Sequence, residues 1–317
     1  MSSIKAFGEE VTKNIARVIV GKEEVTQKIL ASVLSGGHVL INDVPGVGKT
    51  MFARSLAISL GLTFRRLQCT PDLLPSDVTG LNILDMKTQD FIFKKGPVFT
   101  QVLLVDEINR TTPRTQSALL EAMGERQVTI DGSTYLMESP FFVIATQNPV
   151  EFEGTFPLPE AQLDRFDISL RMGYPDEAHE ISVLENLSFE HPVDSLESVT
   201  NIDRLSLIIE EIKHIKLEGS ILKYIVSIVS STRTSRELAL GSSPRGSIAI
   251  MRTVKALAGL RGRDYVIPDD VKELAPDILS HRIVLKPEAR LMRLSARSVV
   301  ETILDNTPVP MERKRAN

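Results

Sequence analysis

Apolar residues in the first half of the chain fall into short unbroken runs set between helix-like segments. Val39, Leu40 and Ile41 form one run, followed by a turn containing Gly and Pro, and positions 51–60 then place Phe52, Leu56 and Leu60 on one helical face. Val102, Leu103, Leu104 and Val105 form a second run, and Phe141, Phe142, Val143, Ile144 and Ala145 a third, following Pro140. Runs without polar alternation suit strands buried on both faces, and such strands interleaved with helices imply a parallel sheet. After Tyr174, Pro175 and Asp176 the pattern changes. Apolar residues recur at helical spacing near 177–187, 201–214, 219–232, 245–261 and 268–280, which predicts a second, helical domain. Asp176 and Ser220 stand where helix caps serve, and Pro244 and Pro268 at helix starts, where a missing N–H costs little. The polar, basic segment 311–317 is expected to fray.

Two stretches break the strand-helix rhythm. Residues 127–136 alternate apolar and polar positions about Asp131-Gly132, a strong hairpin signal. Residues 70–97 are rich in turn formers, and 83–93 reads as a second hairpin.

Composition narrows the class. A chain of 317 residues exceeds the size at which a single core usually stops growing, so one larger and one smaller domain are expected. Apolar (42%) and charged (25%) fractions near globular averages argue against a disordered or fibrous chain. A formal net charge of -4 supplies no long-range attraction for a polyanion, so nucleic-acid binding is unsupported. No apolar run reaches the roughly 18 residues of a membrane span, and the first ten residues lack a signal-peptide pattern; no membrane insertion and a cytoplasmic location are expected. The single cysteine, Cys69, excludes an internal disulfide and reads as a small buried apolar residue, and the five histidines show no metal-ligand spacing.

The chemistry concentrates in a few positions. Asp43, Val44, Pro45, Gly46, Val47, Gly48, Lys49 and Thr50 lie between a predicted strand and a predicted helix that continues through Met51, the context a phosphate-binding loop requires. Glycines let backbone N–H groups close on phosphate, Lys49 reaches the terminal phosphates, and Thr50 offers a hydroxyl to Mg²⁺. Asp43 stands where the usual pattern has glycine, so a left-handed turn and a carboxylate close to phosphate, with weakened nucleotide binding, are the expected complications. The second apolar run ends in Asp106 and Glu107, suited to hold Mg²⁺ and to polarise an attacking water. The third is followed by Asn148, at the strand edge where open α/β sheets bind ligands. Arg165, between Leu163 and Phe166, suits an arginine offered to a neighbouring subunit's nucleotide, and Arg245, in Ser243-Pro244-Arg245-Gly246, suits a contact to the nucleotide from the second domain.

Taken together these residues resemble the AAA+ ATPases and, more narrowly, the MoxR family. The resemblance runs through Ile19-Val20-Gly21-Lys22 before the first helix, the phosphate loop, Thr70-Pro71-Asp72-Leu73-Leu74-Pro75-Ser76-Asp77-Val78-Thr79-Gly80, Asp106-Glu107-Ile108-Asn109-Arg110, and Glu151-Phe152-Glu153-Gly154-Thr155-Phe156-Pro157 on to Phe166. It implies an α/β P-loop core with a parallel five-stranded sheet and two hairpin inserts (1–174), then an all-α lid (175–317). It implies Lys49 and Thr50 as Walker A, Asp106 and Glu107 as Walker B, Asn148 as sensor 1, Arg165 as the arginine finger, Arg245 as sensor 2, and Val20 and Gly21 in the adenine pocket. It further implies ATP and Mg²⁺ as cofactors, a homo-oligomer of hexamer type, and chaperone-like remodelling, maturation or metal insertion on a protein client, with a partner bearing a von Willebrand factor type A domain. Lys22 departs from the family's usual glutamine.

The reading is an ATP hydrolase whose site combines Lys49, Asp106 and Arg245 of one subunit with Arg165 of the next. The alternative is a nucleic-acid-associated AAA+ motor, against which the 127–135 hairpin carries no Lys or Arg. A nucleotide-dependent scaffold and a small-molecule kinase fit less of the pattern.

Overall fold

In the computed structural model, Ile4, Phe7, Val11 and Ile15 recur at helical spacing and are buried, so that Ser3–Ala16 forms a first helix, α1. Residues 3–149, 154–186 and 192–310 are described. The expected fraying of 311–317, the end of the 177–187 helix at Leu187, and Glu151, Phe152 and Glu153 of the family-like run lie outside them. Ile19, Val20, Gly21 and Lys22 therefore follow a helix instead of preceding the first one, and lead into α2 (Glu23–Leu34).

The core continues with β1 (Val39–Asn42), α3 (Lys49–Ser59), β2 (Phe64–Gln68), α4 (Pro75–Thr79), β3 (Gly80–Leu84), β4 (Phe91–Lys95), β5 (Val102–Asp106), α5 (Pro113–Glu125), β6 (Gln127–Ile130), β7 (Ser133–Leu136), β8 (Phe142–Gln147), α6 (Glu160–Leu163) and β9 (Ile168–Leu170). Strands β2-β5-β8-β1-β9, in that order, form a parallel five-stranded sheet. Side chains alternate between its faces. Val39, Ile41, Val102, Leu104, Phe142 and Ile144 face one cluster, and Leu40, Leu103, Val105, Val143 and Ala145 face a second, beneath Leu119, Leu120 and Met123 of α5.

Both hairpins are present as antiparallel pairs. The β6–β7 turn has positive φ at Asp131 (49°) and Gly132 (81°), as a two-residue hairpin loop demands. The other hairpin is longer than 83–93, because β3 and β4 pair from Gly80↔Lys95 to Leu84↔Phe91. The two lean together, with Phe93 stacked on Tyr135 at 4.1 Å and Asn82 Nδ2 donating to Asp131 Oδ2 at 2.7 Å.

The second half comprises α7 (Glu177–Asn186), α8 (Ile202–Lys213), α9 (Gly219–Thr234), β10 (Leu238–Leu240), α10 (Pro244–Leu260), α11 (Pro268–Leu279), β11 (Val284–Leu285), α12 (Pro287–Leu291) and α13 (Ala296–Asn306). It is not purely α, since β10 and β11 pair antiparallel. Pro244 and Pro268 occupy helix starts, and Asp176 Oδ1 accepts from His179 N–H at 2.9 Å. Ser220 is no cap, because α9 begins one residue earlier and Glu218 precedes it. The helical part folds back on the chain's beginning, so that Ile250 and Val254 of α10 share one buried cluster with Phe7 of α1, Ile29 of α2 and Ile41 of β1. Across that seam the buried Lys28 Nζ meets Asp277 Oδ2 at 3.1 Å, and Arg297 Nη1 meets Asp277 Oδ1 at 2.5 Å. Among the described residues no helix is long and apolar enough to cross a membrane.

Removing Asp277 leaves the buried Lys28 with only the exposed Glu24 as partner and Arg297 with only Glu301, so Asp277→Ala should destabilise the fold by about 2 kcal/mol, read as a lower urea midpoint. Burial first, and the adjacent Arg282 second, push His281 down to about 3. Only the unfolded state then takes up this proton near pH 6.5, so the contribution to stability is full above about pH 6.5 and declines as pH falls toward 3. The thermal midpoint should drop between pH 7 and pH 5, and His281→Gln should shrink that drop.

Candidate functional site

Parallel register brings the chemistry to one edge of the sheet. Asn42 pairs with Gln147, Val105 with Ala145, and Gln68 with Asp106, so the C-terminal ends of four strands lie side by side. The loop after β1 turns through Gly46 (φ 86°) and Gly48 (φ 84°), and a Cβ at either would sit in a conformation that L side chains avoid. Gly48 caps α3 without any side-chain hydrogen bond, leaving the helix's first N–H groups for another acceptor. Pro45 and Gly46 are exposed at the tip, Val47 is buried, and Val44 packs against the core. Lys49 and Thr50 open α3, Met51 follows them half-buried, and Lys49 Nζ donates to the Asp43 carbonyl at 2.8 Å. Burial holds the Lys49 ammonium below its ordinary range, against the opposing pull of Asp106, Asp43 and Glu107.

The left-handed turn expected at Asp43 does not arise, and its carboxylate is engaged by backbone donors. Its φ is not positive, so a side chain costs the turn nothing. The carboxylate accepts from Val44 N–H at 2.9 Å and from Gly173 N–H at 2.6 Å, which turns it toward the segment after β9.

Asp106 is the hub of the acidic end. Its Oδ1 accepts from Thr146 Oγ1 at 2.9 Å, and its Oδ2 from Thr50 Oγ1 at 3.3 Å and from Arg66 Nε at 2.9 Å. Glu107 has a left-handed backbone (φ 56°); its N–H donates to Thr146 Oγ1 at 2.8 Å, and its Oε2 accepts from Gln68 at 3.0 Å and Arg110 at 2.9 Å. Asn148 is buried just beyond β8. Sequence reasoning singled out Asp106, Glu107 and Asn148 but missed Arg66, Gln68 and Thr146, whose place depends on strand register. Cys69 is buried beside this edge, and burial, with Asp106 and Glu107 nearby, pushes its thiol up to about 12. Ile19 approaches Gly48, and Gly21 (φ 73°) lies under the His179 ring, so the segment containing Val20 and Gly21 borders the phosphate loop.

The residues present fit Mg²⁺ with a nucleotide. The uncapped helix start suits phosphate oxygens. Among the described residues no group of three or more His, Cys, Asp or Glu forms a metal cage, which suits an ion held by Thr50, Asp106, phosphate and water.

Arg245 does not join this edge. It lines a pocket of about 540 Å³ with Arg165, Arg126 and Arg252, next to Gly36 and His38. Gly36 and His38 precede β1 whereas the phosphate loop follows it, and the five steps from His38 to Asp43 span roughly 16 Å of strand. The sequence-based reading that set Arg245 beside Lys49 of its own subunit is therefore corrected. Arg165 is half-buried, its guanidinium lies against Gly124, and Nη1 donates to the Leu120 carbonyl. Asp164 holds both arginines in place, since its Oδ1 meets the buried Arg282 Nε at 2.9 Å and its Oδ2 accepts from Ser243 Oγ, the cap of α10, at 2.8 Å.

A parallel sheet with a phosphate loop, paired acids at the next strand's end and a helical lid defines an AAA+ ATPase. Residues 38–168 match the family described as "ATPase family associated with various cellular activities (AAA)", and residues 230–303 match an AAA lid domain. The chain is 51% identical to the Bacillus subtilis protein YeaC, covering 96% of this chain and 95% of that one. It is 40% identical to Chaperone MoxR1 of Mycobacterium tuberculosis, covering 95% and 82%. A crystal structure of a candidate ATPase from Cytophaga hutchinsonii superposes with a TM-score of 0.91 at 40% identity, covering 97% and 96%. The chain belongs to the MoxR family of AAA+ ATPases.

Asp43→Gly should leave ATP affinity unchanged in a fluorescent-nucleotide titration, while the loss of two charge-assisted hydrogen bonds lowers stability by about 2 kcal/mol.

Proposed function

We propose that this protein hydrolyses ATP with Mg²⁺ as a head-to-tail homo-oligomer, a hexamer on the family pattern, and uses the cycle to remodel, mature or load metal into a protein client in the cytoplasm. A von Willebrand factor type A partner and a core-lid division at 174/175 belong to the same reading. One observation carries it: the phosphate loop and the Arg165–Arg245 pair occupy opposite ends of β1, so neither serves the other within one chain.

Bound Mg²⁺ would neutralise phosphate oxygens, with Thr50 and Asp106 as the residues to hold it. Lys49 and the loop N–H groups bind the terminal phosphates. Glu107, oriented by Gln68 and Arg110, takes the proton of the attacking water, and Asn148 positions that water. Arg165 and Arg245 of the adjoining subunit offset the charge that develops as the phosphoryl group transfers. Arg245 thus acts on the neighbour's nucleotide, like Arg165.

A protein client is favoured over nucleic acid by the β3–β4 hairpin, which exposes Leu81, Ile83, Leu84, Met86, Phe91 and Ile92. The β6–β7 hairpin carries no cation within 127–135.

Glu107→Gln should bind ATP normally yet lower kcat by about 10² to 10⁴. Lys49→Ala and Arg165→Gln should each be inactive alone and regain phosphate release when mixed; a mixture that stays inactive would count against a shared site.

A further inference from the structure

The Arg165–Arg245 pocket holds more positive charge than two arginines supply. Arg245, Ile248 and Arg252 lie on one stripe of α10, three and four residues apart, and Arg252 is exposed on the pocket's wall. Arg126 enters from the other side as the left-handed cap of α5 (φ 52°), an uncommon conformation for so bulky a residue. Its Nη2 donates to the Gly36 carbonyl at 3.2 Å, and its carbonyl accepts from Met137 N–H at 3.0 Å at the base of the β6–β7 hairpin.

Among the described residues none of Arg126, Arg165, Arg245 and Arg252 makes an ion pair. The two carboxylates lining the pocket are already engaged: Asp164 with Arg282 and Ser243, and Asp167 with His38 N–H at 3.0 Å. The crowding is felt by neighbouring groups, because Arg126 helps to lower His38 and Arg245 helps to lower Arg282, each after burial. Four guanidinia around one open cavity, on a chain whose formal net charge is -4, call for a ligand with several negative charges on adjacent oxygens.

We propose that Arg126 and Arg252 bind the phosphate tail of the nucleotide held by the adjoining subunit, completing a four-arginine receptor with Arg165 and Arg245. The inference rests on the shared-site reading and extends it to two residues beyond the runs quoted for the family resemblance. Arg126 also ties occupancy of the pocket to the hairpin, through its bond to Met137.

The test uses full-length protein. Arg126→Gln and Arg252→Gln alter exposed side chains and should keep the fold, checked by thermal midpoint. Each should lower kcat/KM for ATP about ten- to hundredfold, the loss expected for one charge-assisted hydrogen bond to phosphate. The loss should persist at protein concentrations where sedimentation shows complete assembly. Mixing either variant with Lys49→Ala, which keeps the arginine face but cannot hold ATP, should restore phosphate release. Activity that returns to the unaltered level on raising protein concentration alone would make these residues interface salt bridges and overturn the proposal. An Arg165→Gln mixture with Lys49→Ala is the control. If it recovers while the Arg126 and Arg252 mixtures do not, only this proposal fails; if it too stays inactive, the shared-site reading fails with it.

Discussion

Arg282 is only 5% exposed, and it keeps its charge there because the fold surrounds it with acceptors. Its Nε meets Asp164, and its terminal nitrogens donate to the carbonyls of Phe166, Asp167 and Ile278. A buried cation survives only when nearly every donor is satisfied, so this side chain tolerates few arrangements of the backbone around it. The segment 164–167 is fixed against the end of α11 as a result. Asp164 in turn takes the Ser243 hydroxyl and anchors the start of α10. Arg165 and Arg245, distant in sequence and carried by different parts of the chain, come to share a face because one guanidinium joins their supports.

The same packing limits how the helical half can move. Its α10 is buried against α1 and α2 in a cluster that reaches the sheet without interruption. Opening that seam would expose large apolar surfaces and part Lys28 from Asp277. Under the shared-site reading, a change at the phosphate loop is therefore more cheaply absorbed by shifting one subunit against another than by lifting the lid off its own core. The leaning hairpins, joined mainly by the Phe93–Tyr135 stack and the Asn82–Asp131 bond, are far less constrained and are the natural parts to follow such a shift.

The sequence was readable where few residues carry strong local demands. The loop around Gly46 and Gly48 needs fixed spacing and positive φ, and β1, β5 and β8 declare themselves as unbroken apolar runs because both their faces are covered. Strand β2 was hidden because it is an edge strand whose Arg65 and Arg66 face water, and β9 because three residues make no pattern. Helix α1 was missed, because the charged residues between Ile4, Phe7, Val11 and Ile15 obscure their helical spacing. Gln68 and Arg66 acquire meaning only through pairing with β5, which periodicity cannot supply. Arg245 was assigned to the wrong end of the sheet because distance along a chain does not say which end of a strand a later helix will cover. Asp43 looked like a defect in the motif until its carboxylate had a place to go.

Under the shared-site reading, the separation of loop and arginines along β1 gives the assembly a direction. Each copy offers at one face what it lacks at the other, so contacts are heterologous and chains of copies must either close or remain open. A closed ring completes as many catalytic centres as it has members. An open spiral always completes one fewer, with an unserved nucleotide at one terminus and idle arginines at the other, so geometry alone would make one position in a split ring differ from its chemically identical fellows.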